Sequence, residues 1–443
     1  MSDEMSIITP RLPRGFVELL PKDQIVFNQM LVIIKEVYER FGYLPIETPA
    51  VELKEVLLAK GGGETEKQVY RLATKTGETD MCLHFDLTVP LARYVAQHIN
   101  ELAFPFRRYQ MQKVWRGETA QRGRYREFYQ CDIDVIGARD PMTDAEIPSV
   151  IYSVFTKLGL KDFTIHISNR KILNGYLEAI GLRETSGAVL RAVDKMDAKD
   201  LSARLQEAGL DNVRSDDLMR LITLQGANNE VLTPLKEWPL ENDLFEQGVA
   251  ELALVTDGIR SLGVPERNFS LDMSIVRGLD YYTGTVYETR LDDYPKLGSV
   301  CSGGRYDNLC GFYIDRDLPG VGISIGLSRL FFQLKEAGLL PHANATTARV
   351  MIALADRSSI AYALEVAKDI RHDHINCEVY LEEARIRKQM EYAGRLGIPY
   401  VIIIGADEVA KKMVSLKDMA KAEQKLVTLE MAIAIIRWER DHS

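Results

Sequence analysis

VWRGETAQRGRYREFYQCDIDVIG, residues Val114 to Gly137, is the stretch around which the chain is organised. It reads as two strands joined by a short polar loop. Arg116 and Glu118 share a face of the first strand. On the second, Phe128, Gln130, Asp132 and Asp134 recur at period two on one face, and Tyr129, Cys131, Ile133 and Val135 make the other. An apolar back against a core and a polar front is what the floor of a substrate pocket needs. Between Phe106 and Arg126 the basic residues Arg107, Arg108, Lys113, Arg116, Arg122, Arg124 and Arg126 face a single acid, Glu118. In a chain of net charge −9 this is a local inversion, suited to a polyphosphate. Taken alone, a solvated hairpin with ordinary surface charges explains the stretch equally well.

It does not stand alone. Ile275–Glu288 reads IVRGLDYYTGTVYE, Cys301–Leu309 reads CSGGRYDNL, and Gly320–Leu330 reads GVGISIGLSRL. The Val114–Gly137 stretch resembles motif 2 of class II aminoacyl-tRNA synthetases, and more narrowly that of the histidyl-tRNA synthetase family. Arg277-Gly278-Leu279-Asp280-Tyr281-Tyr282 resembles that family's histidine-specific signature, CSGGRYDNL its second signature, and Gly320–Leu330 motif 3. One short motif recurs by chance; several in the family's order do so far less often.

Composition sets broad bounds. The chain has 443 residues, 46% hydrophobic and 27% charged, which is ordinary for a soluble globular protein of two or three domains. MSDEMSIITPRLPRG carries no apolar run flanked by basic residues, so no secretory signal is expected. No stretch approaches the length of a transmembrane helix, so no membrane partner is expected either. Cys82, Cys131, Cys301, Cys310 and Cys377 form no Cys-x-x-Cys pair. They read as scattered reduced thiols of a cytoplasmic protein, with neither a zinc site nor a disulfide framework. The negative net charge argues weakly against nucleic acid as a partner, because binding follows local basic surface rather than the sum.

Taken in order, Pro10–Pro21 is an irregular arm. Asp23 is placed to cap a helix running to about Arg40, with Ile25, Met30, Ile33, Ile34 and Val37 on its apolar stripe. Tyr43–Val51 reads as extended around Pro49. This helix, turn and strand resemble motif 1, which implies a homodimer interface; an ordinary buried helix and strand is the other reading. Lys60-Gly61-Gly62-Gly63-Glu64 reads as a flexible loop. Met81–Val89 reads as a strand with Asp86 and Thr88 on one face. From Leu158 to about Val264 the pattern is largely helical and corresponds to the family's helical insertion, about 170–262. Gly338–Thr347 is a linker by composition. Beyond it, strands at Arg349–Leu354, Cys377–Tyr380 and Tyr400–Ile404 alternate with helices at Ile360–Ile370 and Ile386–Leu396. The alternation predicts a small α/β domain with a largely parallel sheet. Acidic and basic residues balance across 349–443, and the segment resembles the family's anticodon-binding domain.

The expected architecture is therefore mixed α/β: a class II antiparallel sheet flanked by helices over 1–337, a linker at 338–348, and an anticodon-binding domain at 349–443. The reaction implied by the resemblance joins L-histidine to ATP as histidyl-adenylate and transfers it to the 3′ end of tRNA(His), with Mg2+ accompanying the ATP. Arg277 and Arg116 match the family's catalytic arginines. Asp86, Leu87, Thr88, Arg116, Gln130, Asp134, Arg277, Tyr281 and Tyr282 match its histidine-binding set. Arg116, Glu118, Arg124, Phe128 and Arg329 match its ATP-binding set. Within these, Asp86, Thr88 and Gln130 would take the ammonium group, while Asp134 and the Tyr282 hydroxyl would meet the two imidazole nitrogens. Some positions depart from the pattern. Gly117 and Thr119-Ala120 stand where larger residues and Arg-Pro are common. His84 replaces an arginine, and Ser328 replaces an acid that elsewhere holds magnesium. The alternative is a histidine-sensing regulatory paralogue of the ATP phosphoribosyltransferase complex. Such paralogues generally lack the C-terminal domain and degrade the signatures.

Overall fold

The computed structural model describes residues 8–59, 64–119, 123–183, 189, 207, 210–275, 282–341 and 344–442. Two compact units divide it, one built mainly from Leu31–Leu339 and the other mainly from Leu340–Ser443.

The first unit is organised by an eight-stranded sheet in the order β1-β5-β6-β11-β10-β9-β7-β8. Its strands are β1 (Leu44–Pro45), β5 (Phe106–Trp115), β6 (Glu127–Ile136), β7 (Phe163–Asn169), β8 (Phe269–Leu271), β9 (Thr285–Leu291), β10 (Cys301–Tyr306) and β11 (Gly320–Gly326). All pairings are antiparallel except the two at the edges, β1 with β5 and β7 with β8. A three-stranded sheet of β2 (Val51–Leu53), β3 (Arg71–Thr74) and β4 (Gly77–Leu83) lies apart from it in the hydrogen-bonding pattern. The hairpin of β5 and β6 runs in unbroken register from Phe106↔Ile136 to Trp115↔Glu127.

Alternation along β6 sorts the two faces as its sequence demands. Cys131, Ile133 and Val135 are buried on the rear, where the Tyr38 hydroxyl, from the helix Pro21–Arg40, donates to the Cys131 carbonyl at 2.9 Å. The front presents an aligned row of polar residues across six strands: Gln110, Asp132, Ser324, Ser302, Glu288 and His166. A row of this kind is costly in a core. It marks the face that carries chemistry.

Several expectations are corrected. The first hairpin strand ends at Trp115, so Arg116 and Glu118 lie beyond it. There the Gly117 N–H leaves the ladder for the Gln68 carbonyl at 2.6 Å. A Cβ on Gly117 would sit 3.0 Å from that carbonyl oxygen, which accounts for the small residue. The strand expected at Met81–Val89 stops at Leu83. Asp86 then lies in a turn and Thr88 opens the helix Thr88–Gln97. The long helix begins at Pro21, so Asp23 sits in its first turn rather than capping it.

The segment read as largely helical begins with β7, whose alternating Phe163, Ile165 and Ile167 pack into the sheet. Described helices follow at Arg170–Ala179, Asn212–Ile222, Asn228–Lys236 and Asp243–Ser261. The Lys60–Gly63 part of the glycine loop, Ala120, Arg122, most of Ala188–Met196 and the signature residues Arg277–Tyr281 lie outside the described residues.

The second unit carries a five-stranded sheet, β13-β12-β14-β15-β16. Here β12 is Val350–Leu354, β13 Cys377–Val379, β14 Tyr400–Ile404, β15 Val414–Asp418 and β16 Gln424–Val427. The first three strands pair in parallel and the last two antiparallel, so the sheet is mixed rather than largely parallel. Helices Ile360–His372 and Leu429–His442 bury Val366, Ile370, Ile433 and Ile436 in one core with Ile402 and Ile404.

Candidate active site

Two cavities open on the polar face of the large sheet and share Arg116, Gln130, Ser302 and Ser324. The larger, about 280 Å³, is lined among others by Arg116, Glu118, Arg124, Phe128 and Arg329. All five residues expected at ATP therefore meet in one place. Arg116 donates from Nε to the Phe85 carbonyl at 3.0 Å, and its guanidinium lies over the Phe128 ring, 5.1 Å from the centroid. Arg329, in the first turn of the helix Leu327–Glu336, donates to the Leu297 carbonyl at 2.9 Å. Beside it, Ser328 Oγ accepts the Tyr129 N–H at 2.8 Å. The hydroxyl that replaces an acid thus ties this helix to β6.

The smaller cavity, about 190 Å³, is lined by Asp86, Thr88, Arg116, Gln130, Asp132, Asp134 and Tyr282, with Tyr306, Ser302 and Ser324. Asp86 sits at the entry of the helix Thr88–Gln97, and its Oδ1 accepts the Val89 N–H at 3.0 Å. Its Oδ2 is buried with no hydrogen-bond donor among the described residues. Burial raises its carboxyl above the usual range, outweighing the Val89 amide and the charge on Arg116. Gln130 Nε2 donates to Ser324 Oγ at 2.6 Å, which leaves Oε1 aimed elsewhere.

Asp134 is held from two sides. Arg108 Nη2 meets Oδ2 at 2.6 Å, and the Tyr306 hydroxyl donates to Oδ1 at 2.5 Å. Burial pushes its carboxyl up to about 6 even though Arg108 pulls it down, and pushes that of Asp132 up to about 7. Across the sheet from Asp134 stands Gly322, where a Cβ would lie 2.3 Å from Asp134 Oδ1 and 2.2 Å from the Ile133 carbonyl oxygen. Only hydrogen fits there.

The sheet and its flanking turn bring Asp86, Thr88, Arg116, Gln130, Asp134 and Tyr282 together in this cavity. Leu87 is not among its lining. Its side chain is fully buried, and its carbonyl accepts from Arg108 Nη2 at 3.3 Å. Tyr282 precedes β9, and its carbonyl accepts from Arg170 Nη1 at 3.2 Å. Arg277 and Tyr281 lie outside the described residues. His84, where an arginine was expected, is buried with Nε2 at 2.7 Å from the Lys113 carbonyl.

The site sets expected from the sequence lack Arg108, Asp132, Ser302, Tyr306 and Ser324, although Asp132 falls on the polar front and Arg108 in the basic run. Asp132 carried a readable signal, since it lies at period two between Gln130 and Asp134. The serines and Tyr306 depend on cross-strand register, which a single sequence does not display.

Comparison with known proteins places these features in context. Residues 15–330 match the family model described as histidyl-tRNA synthetase, and residues 349–439 match one described as an anticodon binding domain. A histidine–tRNA ligase of Clostridium tetani is 51% identical, over 97% of this chain and 99% of its own length. One from Xanthomonas campestris is 46% identical over 94% of each chain. The crystal structure of a Nostoc histidyl-tRNA synthetase superposes with a TM-score of 0.88 at 39% identity, covering 97% of this chain and all of the other. The crystal structure of a Bacillus halodurans ATP phosphoribosyltransferase regulatory subunit/histidyl-tRNA synthetase shares the fold with a TM-score of 0.75 at 21% identity, covering 87% of this chain and 97% of the other.

Proposed function

The chain belongs to the histidyl-tRNA synthetase family, and on that footing we propose that its two joined cavities are the amino-acid and nucleotide halves of one active site. The chain is an aminoacyl-tRNA ligase that activates histidine with ATP and passes it to tRNA. The observation that carries the site reading is the position of Arg116. Among the described residues it is the one guanidinium that lines both cavities, where a histidine carboxylate would meet the α-phosphate of ATP.

In the first step a carboxylate oxygen attacks the α-phosphorus, the bond to the bridging oxygen breaks, and pyrophosphate leaves with its electron pair. A terminal ribose hydroxyl of tRNA then attacks the acyl carbon, loses its proton, and displaces AMP. Little covalent work falls to the protein, which positions the partners and balances developing charge. Arg116 would serve the α-phosphate and carboxylate together with Arg277. Arg329 and Arg124 would hold the outer phosphates and the nucleotide, and Phe128 would stack on adenine. Asp86, Thr88 and Gln130 would hold the ammonium, while Asp134, Tyr281 and Tyr282 would surround the imidazole.

Mg2+ would enter with the ATP phosphates. Glu118 is the one carboxylate among the described residues lining the nucleotide cavity. That fits an ion which keeps water and phosphate oxygens as most of its ligands. Residues 349–443 would read the anticodon of tRNA(His). A homodimer is supported by the motif 1 resemblance together with exposed Leu44, Val51 and Leu53 on β1 and β2. A cytoplasmic location is supported by the likeness to histidine–tRNA ligases. Among the described residues no helix is long and apolar enough to cross a membrane. The regulatory-paralogue alternative has less support, because the curated relatives matching nearly the whole chain at about half identity are histidine–tRNA ligases.

Charging assays with the full chain, ATP, radiolabelled L-histidine and tRNA test this reading. Acid-stable label on tRNA(His) that depends on ATP is the expected result. Label on an unrelated tRNA alone, or none, would overturn it.

A further inference from the structure

The trio of acids in the amino-acid cavity supports an inference about Asp132, which rests on the histidine site proposed above. Asp132 is 2% exposed and stands in the polar row between Gln110 and Ser324. Arg108 and Gln110 face it from β5, Gln130 and Asp134 from its own strand, and Ser324 from β11. Asp86 faces it from the turn before the helix Thr88–Gln97, with Arg116 on the same cavity. Behind lie Cys131, Cys301 and the Tyr38 phenol. Arg108 is the guanidinium acting on Asp132 and Asp134, as Arg116 acts on Asp86, and its Nη2 is engaged with Asp134 Oδ2 at 2.6 Å. Among the described residues Asp132 has the Ser324 hydroxyl as a donor but no cation of its own, and a second charged carboxylate so placed is expensive.

Asp132 Oδ1, Asp86 Oδ2 and Gln130 Oε1 have no donor among the described residues, and their residues line one cavity. Three acceptor oxygens on residues lining one cavity match a primary ammonium, with its three N–H donors. We propose that Asp132 is a further ligand of the substrate's ammonium group, protonated while the cavity is empty and ionised as the ammonium enters, its proton passing to solvent. Burial holds the Asp132 carboxyl at about 7, so the exchange takes place near neutral pH. Asp134, at about 6 with Arg108 and Tyr306 upon it, is already mostly ionised there. The device selects for the amine. An imidazole compound without one leaves the proton on Asp132.

Calorimetric titration of the full chain with L-histidine at pH 7, in phosphate and in Tris, counts the protons released on binding. Wild type is expected to release about half a proton more than Asp132→Asn, since a group titrating near the working pH is half ionised. The variant should bind histidine about ten- to a hundredfold more weakly, with ATP affinity unchanged. Equal proton release by both proteins overturns the proposal and leaves the histidine site standing. A wild type that binds no histidine overturns the site itself. If the variant does not fold, infrared difference spectra of the wild type decide. Loss of a protonated-carboxyl band with L-histidine, and its retention with imidazolepropionate, supports the proposal; a band unchanged by L-histidine overturns it.

Discussion

Tyr306 donates its hydroxyl to Asp134 Oδ1 at 2.5 Å while Arg108 holds Oδ2 at 2.6 Å, so the second signature is tied directly to the floor strand of the cavity. Asp134 is therefore a brace as well as a cavity wall. Asp134→Asn would strand a fully buried guanidinium, and breaking such a pair costs about 3–5 kcal/mol. Tyr306→Phe removes one neutral donor to a charged acceptor, about 1.5–3 kcal/mol. The expected outcome is a fall in melting temperature for both, larger for Asp134→Asn, with KM for histidine raised and KM for ATP little changed. Unchanged stability in a variant with normal histidine KM would contradict the brace.

Arg305 makes a second test of the same signature. Its Nε lies 3.0 Å from both oxygens of Asp144, itself 1% exposed, and its Nη1 donates to the Ala138 carbonyl at 2.9 Å. Burial and Arg305 act on Asp144 in opposite senses, with burial the larger. Arg305→Ala leaves a buried acid without its cation, so chemical denaturation should show a loss of about 3–5 kcal/mol. A loss below about 1 kcal/mol would place the pair among interactions of surface strength.

The raised carboxyls also set a pH dependence. The native state keeps protons on Asp132 up to about pH 7 and on Asp134 up to about pH 6, whereas their ordinary value is 3.8. Between those limits the folded chain binds more protons than the unfolded one, so their contribution to stability declines as pH rises. Below about pH 4 it is fully present, and above about pH 7 the decline has ended. Asp132→Asn should gain stability relative to wild type across that window. Denaturant midpoints at pH 5, 6, 7 and 8 check this, and a constant difference between the two proteins would refute it.

Asp86 combines a helix cap with an oxygen turned into the cavity. Asp86→Ala should cost about 1 kcal/mol of stability through the cap. It should also raise KM for histidine by at least about tenfold, the scale of one charge-assisted hydrogen bond, with little change for ATP. A histidine KM within twofold of wild type would remove Asp86 from the ammonium site.

The sequence made some of this legible and hid the rest for physical reasons. The period-two pattern of Phe128 to Val135 displays both faces of β6, because a strand's side chains alternate wherever one face is buried. The helix Ile386–Leu396 and strand Tyr400–Ile404 were readable to the residue from apolar spacing. What stayed hidden depends on distant partners. β7 was masked by the helices that follow it, since seven residues of alternation are a weak signal beside a long helical run. Asp86 looked like a strand residue because nothing local reveals that its carboxylate caps the next helix. Arg108 read as a phosphate-binding charge, yet it is fully buried beneath Asp134. A run of basic residues does not say which of them faces inward.

Amino-acid-dependent ATP–pyrophosphate exchange by the full chain, without tRNA, tests the central claim most directly. Wild type should exchange with L-histidine alone among the standard amino acids, and Arg116→Ala should lose about two orders of magnitude or more, as when one preorganised contact to a developing charge is removed. Exchange supported equally by histidinol or by no amino acid, or an Arg116→Ala protein exchanging at the wild-type rate, would contradict an active site centred on the guanidinium that joins the two cavities.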